Sequence, residues 1–173
     1  LNHPFSFPVN SRDQESYLNT YNLTQWGDNV HADDNDQIAT SPLVLLGSDA
    51  QLTVWVHGGG SGTHAPELDP NPENGYTTDS AGIAVISAED GSLLSSVLTN
   101  GHGTLREDTI DLSGFAGQMN YIEVVDAFEG GWGWIAVDEI QVTIDRSLAK
   151  KHRIHPMVAA QTIASGLRGY SLK

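Results

Sequence analysis

The sequence predicts an all-β chain: a two-sheet antiparallel jelly-roll sandwich with a basic, helical or disordered C-terminal tail. Three observations carry that reading. Helix-forming residues are sparse before Arg146, while 18 glycines and many Ser, Thr, Asn and Asp residues punctuate the 173 positions, a composition made for turns. Short apolar runs with period-two alternation recur between those turns at roughly even spacing. Past Arg146 the chain turns basic and Ala-rich. Residues 1–145 are therefore assigned to the sandwich and 146–173 to a tail or linker.

The elements follow in order. Residues 1–40 are polar, with aromatic punctuation at Phe5, Phe7, Tyr17, Tyr21 and Trp26. They read as a short strand near the start and then an irregular loop. Ser41–Leu46 is a strand that Pro42 can only begin or edge. Gln51–His57 is a strand with Leu52, Val54 and Val56 on one face, and Trp55 and His57 on the other. Gly58–Asp79 is a long Gly/Pro/Asn loop, of the kind that is functional or disordered in compact domains. Ala81–Ser87 and Leu93–Thr99 are hairpin partners across Glu89-Asp90-Gly91. Asn100–Gly103 is a turn, Arg106–Leu112 a strand and Ser113–Gly117 a connection. Tyr121–Val125 and Ile135–Ile144 complete about eight strands. In the tail, Pro156 suits a first helical position, Met157–Ala164 a helix and Gly166 its cap.

Charge and cysteine content narrow the function classes. All 22 acidic residues lie in 1–145 against only Arg12 and Arg106, a formal charge of −20. Residues 146–173 carry six basic residues and no acid, or +6. So acidic a body disfavours nucleic acid and anionic membrane, and suits cations or simple solubility. The absence of cysteine excludes disulfides, thiolate metal sites and a Cys nucleophile. No apolar run approaches the ~18 residues that span a bilayer. Leu1 opens without a charged n-region or apolar h-region, so any targeting signal is expected outside the sequence.

The densest signal is Tyr121–Ile140. Strand residues end at Asp126, and Gly130, Gly131 and Gly133 then turn the backbone beside Trp132 and Trp134. A second strand follows, with carboxylates at Asp138 and Glu139. Ala39-Thr-Ser-Pro-Leu-Val-Leu-Leu46 with Leu52-Thr-Val-Trp-Val-His-Gly-Gly-Gly60, and Asp111-Leu-Ser-Gly-Phe-Ala-Gly117 with Tyr121–Asp126 and Gly130–Asp138, resemble a known pattern. It is that of galactose-binding-like jelly rolls: the accessory β-sandwich of family 32 fructan-active glycoside hydrolases and related carbohydrate-binding modules. The resemblance spans residues 38–144. The Gly58–Asp79 loop departs from it, and the tail has no counterpart. It implies a two-sheet sandwich without catalytic residues, the acid and nucleophile of such hydrolases lying on a separate propeller domain. It also implies that Asp138, in the matching last strand, helps hold a structural calcium.

Each candidate chemistry has a plainer rival. Calcium takes six to eight oxygen ligands, and His31–Asp36 offers Asp33, Asp34 and Asp36 without the spacing of an EF-hand; the rival is a solvated acidic loop. Sugars stack on aromatic rings while edge groups bond their hydroxyls. Trp55, Tyr76, Trp132 and Trp134 are the candidate platform, and His57, Asn74 and Asp126 the candidate edge. The rival is packing: indoles beside glycines commonly line a core rim, and Trp55 either faces a ligand or forms a second core layer. Because Ile135 continues the apolar face, Trp134 is expected on the opposite side and more exposed than Trp132. His57, His64 and His102 match no zinc spacing. No carboxylate pair is marked for glycoside cleavage, Gly58-Gly-Gly-Ser-Gly lacks the strand–Ser–helix context of a nucleophile elbow, and no P-loop lysine is present.

The expected function is a non-catalytic, carbohydrate-binding-like module with a structural calcium. The expectation extends to a larger exported bacterial protein, extracellular or periplasmic, with a sugar or a neighbouring domain as partner and neither nucleic-acid binding nor membrane insertion. The alternatives are a structural or protein-interaction sandwich with no sugar ligand and, third, an enzyme.

Overall fold

The computed structural model describes residues 18–19, 37–59, 68–71, 75–76, 81–99, 105–127 and 134–143. These residues are mostly strand, with a single 3-10 turn at Ser113–Phe115. One sheet runs in the order β1 (Leu18–Asn19), β11 (Ile135–Val142), β4 (Gln51–Gly58), β9 (Arg106–Asp111). The other runs β2 (Gln37–Thr40), β10 (Met119–Asp126), β7 (Ala81–Ser87), β8 (Leu93–Leu98), with β3 (Val44–Leu45) also paired to β10. Every pairing is antiparallel. The pairs nest: β1 with β11, β2 with β10, β4 with β9, β7 with β8. That folding of a long hairpin onto itself is jelly-roll connectivity.

Alternation builds the core. Leu52, Val54 and Val56 of β4, Ile110 of β9, and Ile135 and Val137 of β11 face Ile83 and Val85 of β7 and Ile122 and Val124 of β10 in one buried cluster. Burying such side chains contributes roughly 1.5–3 kcal/mol each. The far end is closed by backbone bonds between connections, Leu112 N–H to Ala50 O at 2.9 Å and Gly117 N–H to Leu46 O at 2.8 Å.

Two elements differ from the expected ones. β2 lies where an irregular loop was expected. Its sequence, Gln-Ile-Ala-Thr, hides the strand because its buried residue is the small Ala39, while Ile38 remains 39% exposed. Pairing with β10, Thr40 opposite Glu123 through Gln37 opposite Asp126, makes it a strand. Within the Gly58–Asp79 loop, β5 (Pro70–Asn71) and β6 (Gly75–Tyr76) form a small hairpin. Leu68, buried, and Tyr76 pack it on Ala84, Ile86 and Val125, the outer face of the second sheet. This cover explains why every residue of β7 is buried. The tail and the Trp132 turn lie outside the described residues.

Register places several connections together. Ile135 is opposite Gly58, Val56 opposite Arg106, Gly82 opposite Leu98, and Asp126 opposite both Ala81 and Gln37. The strand ends that flank segments 20–36, 59–80, 99–105 and 127–134 therefore share one end of the sandwich. Thr99 joins the sheets there, its hydroxyl donating to the Gly59 carbonyl.

Candidate functional site

The outer face of the first sheet is built by period two. Alternation that sends Val54 and Val56 inward sends Thr53, Trp55 and His57 outward. In register, Trp55 has Asp138 of β11 on one side and Glu107 of β9 on the other. Direct cross-strand partners share a face with Cβ atoms about 5 Å apart. The two carboxylates thus flank one indole, their strands about 10 Å apart. Trp55 is half-buried, Asp138 buried and Glu107 exposed. Next along, Thr53 and Thr109 are opposite, their hydroxyls 3.4 Å apart.

A bulge ends this stretch. Asp138 pairs with Trp55, yet Gln141 pairs with Thr53, so β11 spends one extra residue. Glu139 absorbs it at φ +49°, a left-handed conformation uncommon for a non-glycine residue. Its N–H donates to Asp138 Oδ1 at 2.9 Å, a bond that holds the carboxylate against its own strand at the bulge. Bulges recur where a sheet re-aims a side chain.

Toward the strand ends the same face closes. His57 and Trp134 meet edge-to-face, with centroids 4.8 Å apart and planes at 88°. His57 is 1% and Trp134 3% exposed. Trp134, expected to be the more exposed of the two indoles and part of the platform, is therefore buried, while Trp132 lies outside the described residues. Trp134 does alternate with Ile135, but both faces of β11 are covered here, as Ala136 at 0% also shows. Alternation sets direction, and tertiary cover sets exposure.

Neither His57 ring nitrogen has a hydrogen-bond partner among the described residues. Burial pushes its pKa down to about 4, so the imidazole is neutral in the fold. Its folded pKa lies below the unfolded value near 6.5, so its contribution is present above that value and is lost as pH falls toward 4. The expected loss is roughly 3 kcal/mol at full protonation. Urea titrations at neutral and acidic pH on wild type and His57→Gln should diverge by that amount; parallel pH dependence would refute it.

The remaining candidates do not join this face. Tyr76 lies on the outer face of the second sheet, where its hydroxyl donates to Glu123 Oε2 at 2.7 Å and Thr40 Oγ1 donates to Glu123 Oε1 at 3.0 Å. Desolvation, then the bond to and charge of Glu123, raise its pKa. Tyr76 therefore pins the β5–β6 hairpin. Asp126 is 1% exposed at the end of β10, on the face shared by Ile122 and Val124. Asp33, Asp34 and Asp36 lie outside the described residues. Among the described residues no group of three or more His, Asp or Glu side chains is placed to share a metal ion. Glu107 was missed by the sequence reading. Period two puts it with Thr109 and Asp111 on a polar face, but nothing local aligns that face with Trp55.

The sequence matches no protein-family model and no curated protein.

Proposed function

We propose that the chain is a non-catalytic carbohydrate-binding module, and that the Trp55 face of the first sheet is its sugar surface. The observation that carries this is the half-buried Trp55, held mid-strand between Asp138 and Glu107 by the pairing on both sides. An indole offers an apolar plane to the C–H face of a pyranose. Glu107, the exposed carboxylate of the two, can accept hydrogen bonds from hydroxyls at the ring edge, and charged acceptors make the stronger ones. The Thr53–Thr109 pair extends the polar edge by hydroxyls that both donate and accept. The platform stands on a strand in mid-sheet, the rigid placement that favours a preorganised site. His57, the one histidine among the described residues, is buried against Trp134. That is a packing role rather than that of an acid or base.

A glycan array and affinity electrophoresis of the full chain test the proposal. Trp55→Ala should keep the melting temperature and lose roughly 30-fold or more in affinity, as loss of an aromatic anchor does. Wild-type retention by Trp55→Ala would remove this face as the site. Retention of no glycan by wild type would favour the structural or interaction reading.

A further inference from the structure

We infer that the outer edge of β8 is a self-association edge: it pairs antiparallel with β8 of a second copy of this chain, so that the second sheet continues from one copy into the other. The inference is independent of the carbohydrate reading.

The four edges of the two sheets are unequal. β1 and β9 bound the first sheet, β2 and β8 the second. An open edge is a row of main-chain donors and acceptors that pairs with another chain unless it is short, charged or broken by proline. β1 has two residues. β2 has four, and Pro42 follows it closely. β9 carries Arg106, Glu107, Asp108 and Asp111. β8, Leu-Leu-Ser-Ser-Val-Leu, has six residues, no charge and no proline. Its one irregularity is the register shift that inserts Leu94, and residues 95–98 then run in step with β7.

The ladder fixes which main-chain groups face outward. Thr99 N–H donates to the Ala81 carbonyl at 3.0 Å, and positions along an antiparallel pair alternate between bonded and non-bonded. Val97 and Ser95 therefore bond to β7, while Ser96 and Leu98 turn their N–H and C=O groups to the edge. The Leu98 carbonyl accepts Arg106 Nη2 at 2.6 Å, which caps that end. Among the described residues no strand pairs with β8 on the side that Ser96 faces.

The side chains supply the second observation. Leu94 and Val97 pack on the core between the sheets, and Leu93 and Leu98 on the cluster of the second sheet's outer face. All four are only half-buried, because both clusters run out at β8. A strand added to this edge covers both margins at once. Another β8 fits it. With Ser96 opposite Ser96 of the second copy, the two residues exchange N–H···O bonds, and Ser95 meets Val97 of the second copy. Small hydroxyl side chains at the dyad permit close approach and bond each other. Charge also selects this edge. Residues 1–145 carry a formal −20, so a copy approaching β9 brings like charges onto Glu107, Asp108 and Asp111, whereas β8 brings none.

Analytical ultracentrifugation of the full chain across a concentration series tests the inference. A joint of one strand pair falls below the standard interface size, so a monomer–dimer Kd on the order of 10–100 μM is expected. Added salt should tighten it several-fold, because screening relieves the repulsion between two acidic bodies. Ser96→Pro removes an outward N–H and no bond to β7, so it should keep the melting temperature and lose the dimer. Ser96→Lys sets like charges opposite each other on the dyad and should weaken the dimer about ten-fold or more; it reads the same edge if proline disturbs the strand. Amide exchange at Ser96 should slow as concentration rises. Thr109→Lys, on β9, should leave the dimer unchanged. A chain that stays monomeric to about 500 μM overturns the inference, being well above the expected Kd. A dimer that both Ser96 variants leave intact also overturns it. A dimer that salt dissolves overturns it in favour of an ionic joint, such as basic residues 146–173 of one copy against the acidic body of the other. A dimer lost in Thr109→Lys moves the joint to β9 and overturns it as well.

Discussion

Trp134→Ala should lower the stability of the domain by roughly 3–5 kcal/mol, the range for deleting a buried large aromatic. Trp134 is 3% exposed, its ring edge-to-face with His57, and its carbonyl accepts the Gly59 N–H at 2.9 Å. Truncation leaves a cavity beside an imidazole whose nitrogens have no partner among the described residues, so local collapse has few groups able to fill it. Typical domains hold 5–15 kcal/mol in total, which makes this loss a large share. Urea denaturation followed by far-ultraviolet circular dichroism measures it. Trp134→Phe should recover much of the loss by keeping an apolar ring. A loss under about 1 kcal/mol in Trp134→Ala, below the span for aromatic truncation, would mean that the indole is not a packing element. Any loss of sugar retention in this variant should track unfolding, in contrast to Trp55→Ala.

Gly58→Ala should cost about 3 kcal/mol, the upper part of the range for overpacking. Gly58 is directly opposite Ile135. A β-carbon there would run into the Trp134 carbonyl oxygen and lie 3.0 Å from both Ile135 Cα and Thr99 Cγ2. Two of those atoms are backbone, so relief requires the β4–β11 pairing to open rather than a rotamer to move. Gly114→Ala is the matched control, because a β-carbon there meets nothing within 4 Å and no positive φ is involved. It should change stability by less than about 0.5 kcal/mol. Equal melting temperatures for the two variants would show that the strands tolerate the added carbon.

The two tryptophans of the first sheet's outer face show what local pattern can and cannot report. Alternation around Leu52, Val54 and Val56 correctly put Trp55 and His57 on the face opposite the core, and alternation with Ile135 put Trp134 opposite the apolar face of β11. Yet Trp55 is half-buried while His57 and Trp134 are buried, because exposure depends on what covers the strand ends. Tyr76 and Trp55, both expected in one aromatic platform, lie on the outer faces of different sheets, with Tyr76 bonded to Glu123. Asp126, expected at a ligand edge, is buried among core-facing positions. Gly131 and Gly133 of the tryptophan turn lie outside the described residues, as do Asn74, Asp33, Asp34 and Asp36.

The sequence by itself determined the all-β class, the turn punctuation, the inward face of β4, the apolar side of β11 at Ile135, and the acidic character of the body. Those properties are local: period two, turn chemistry and charge need no partner to be read. Tertiary structure alone decided the strand at Gln37–Thr40, the hairpin at Pro70–Tyr76, the bulge at Glu139, and the meeting of Glu107, Trp55 and Asp138. Each depends on register between segments far apart in the chain. Register follows from the packing of the whole core, because a one-residue slip would turn every buried side chain of a strand to the other face.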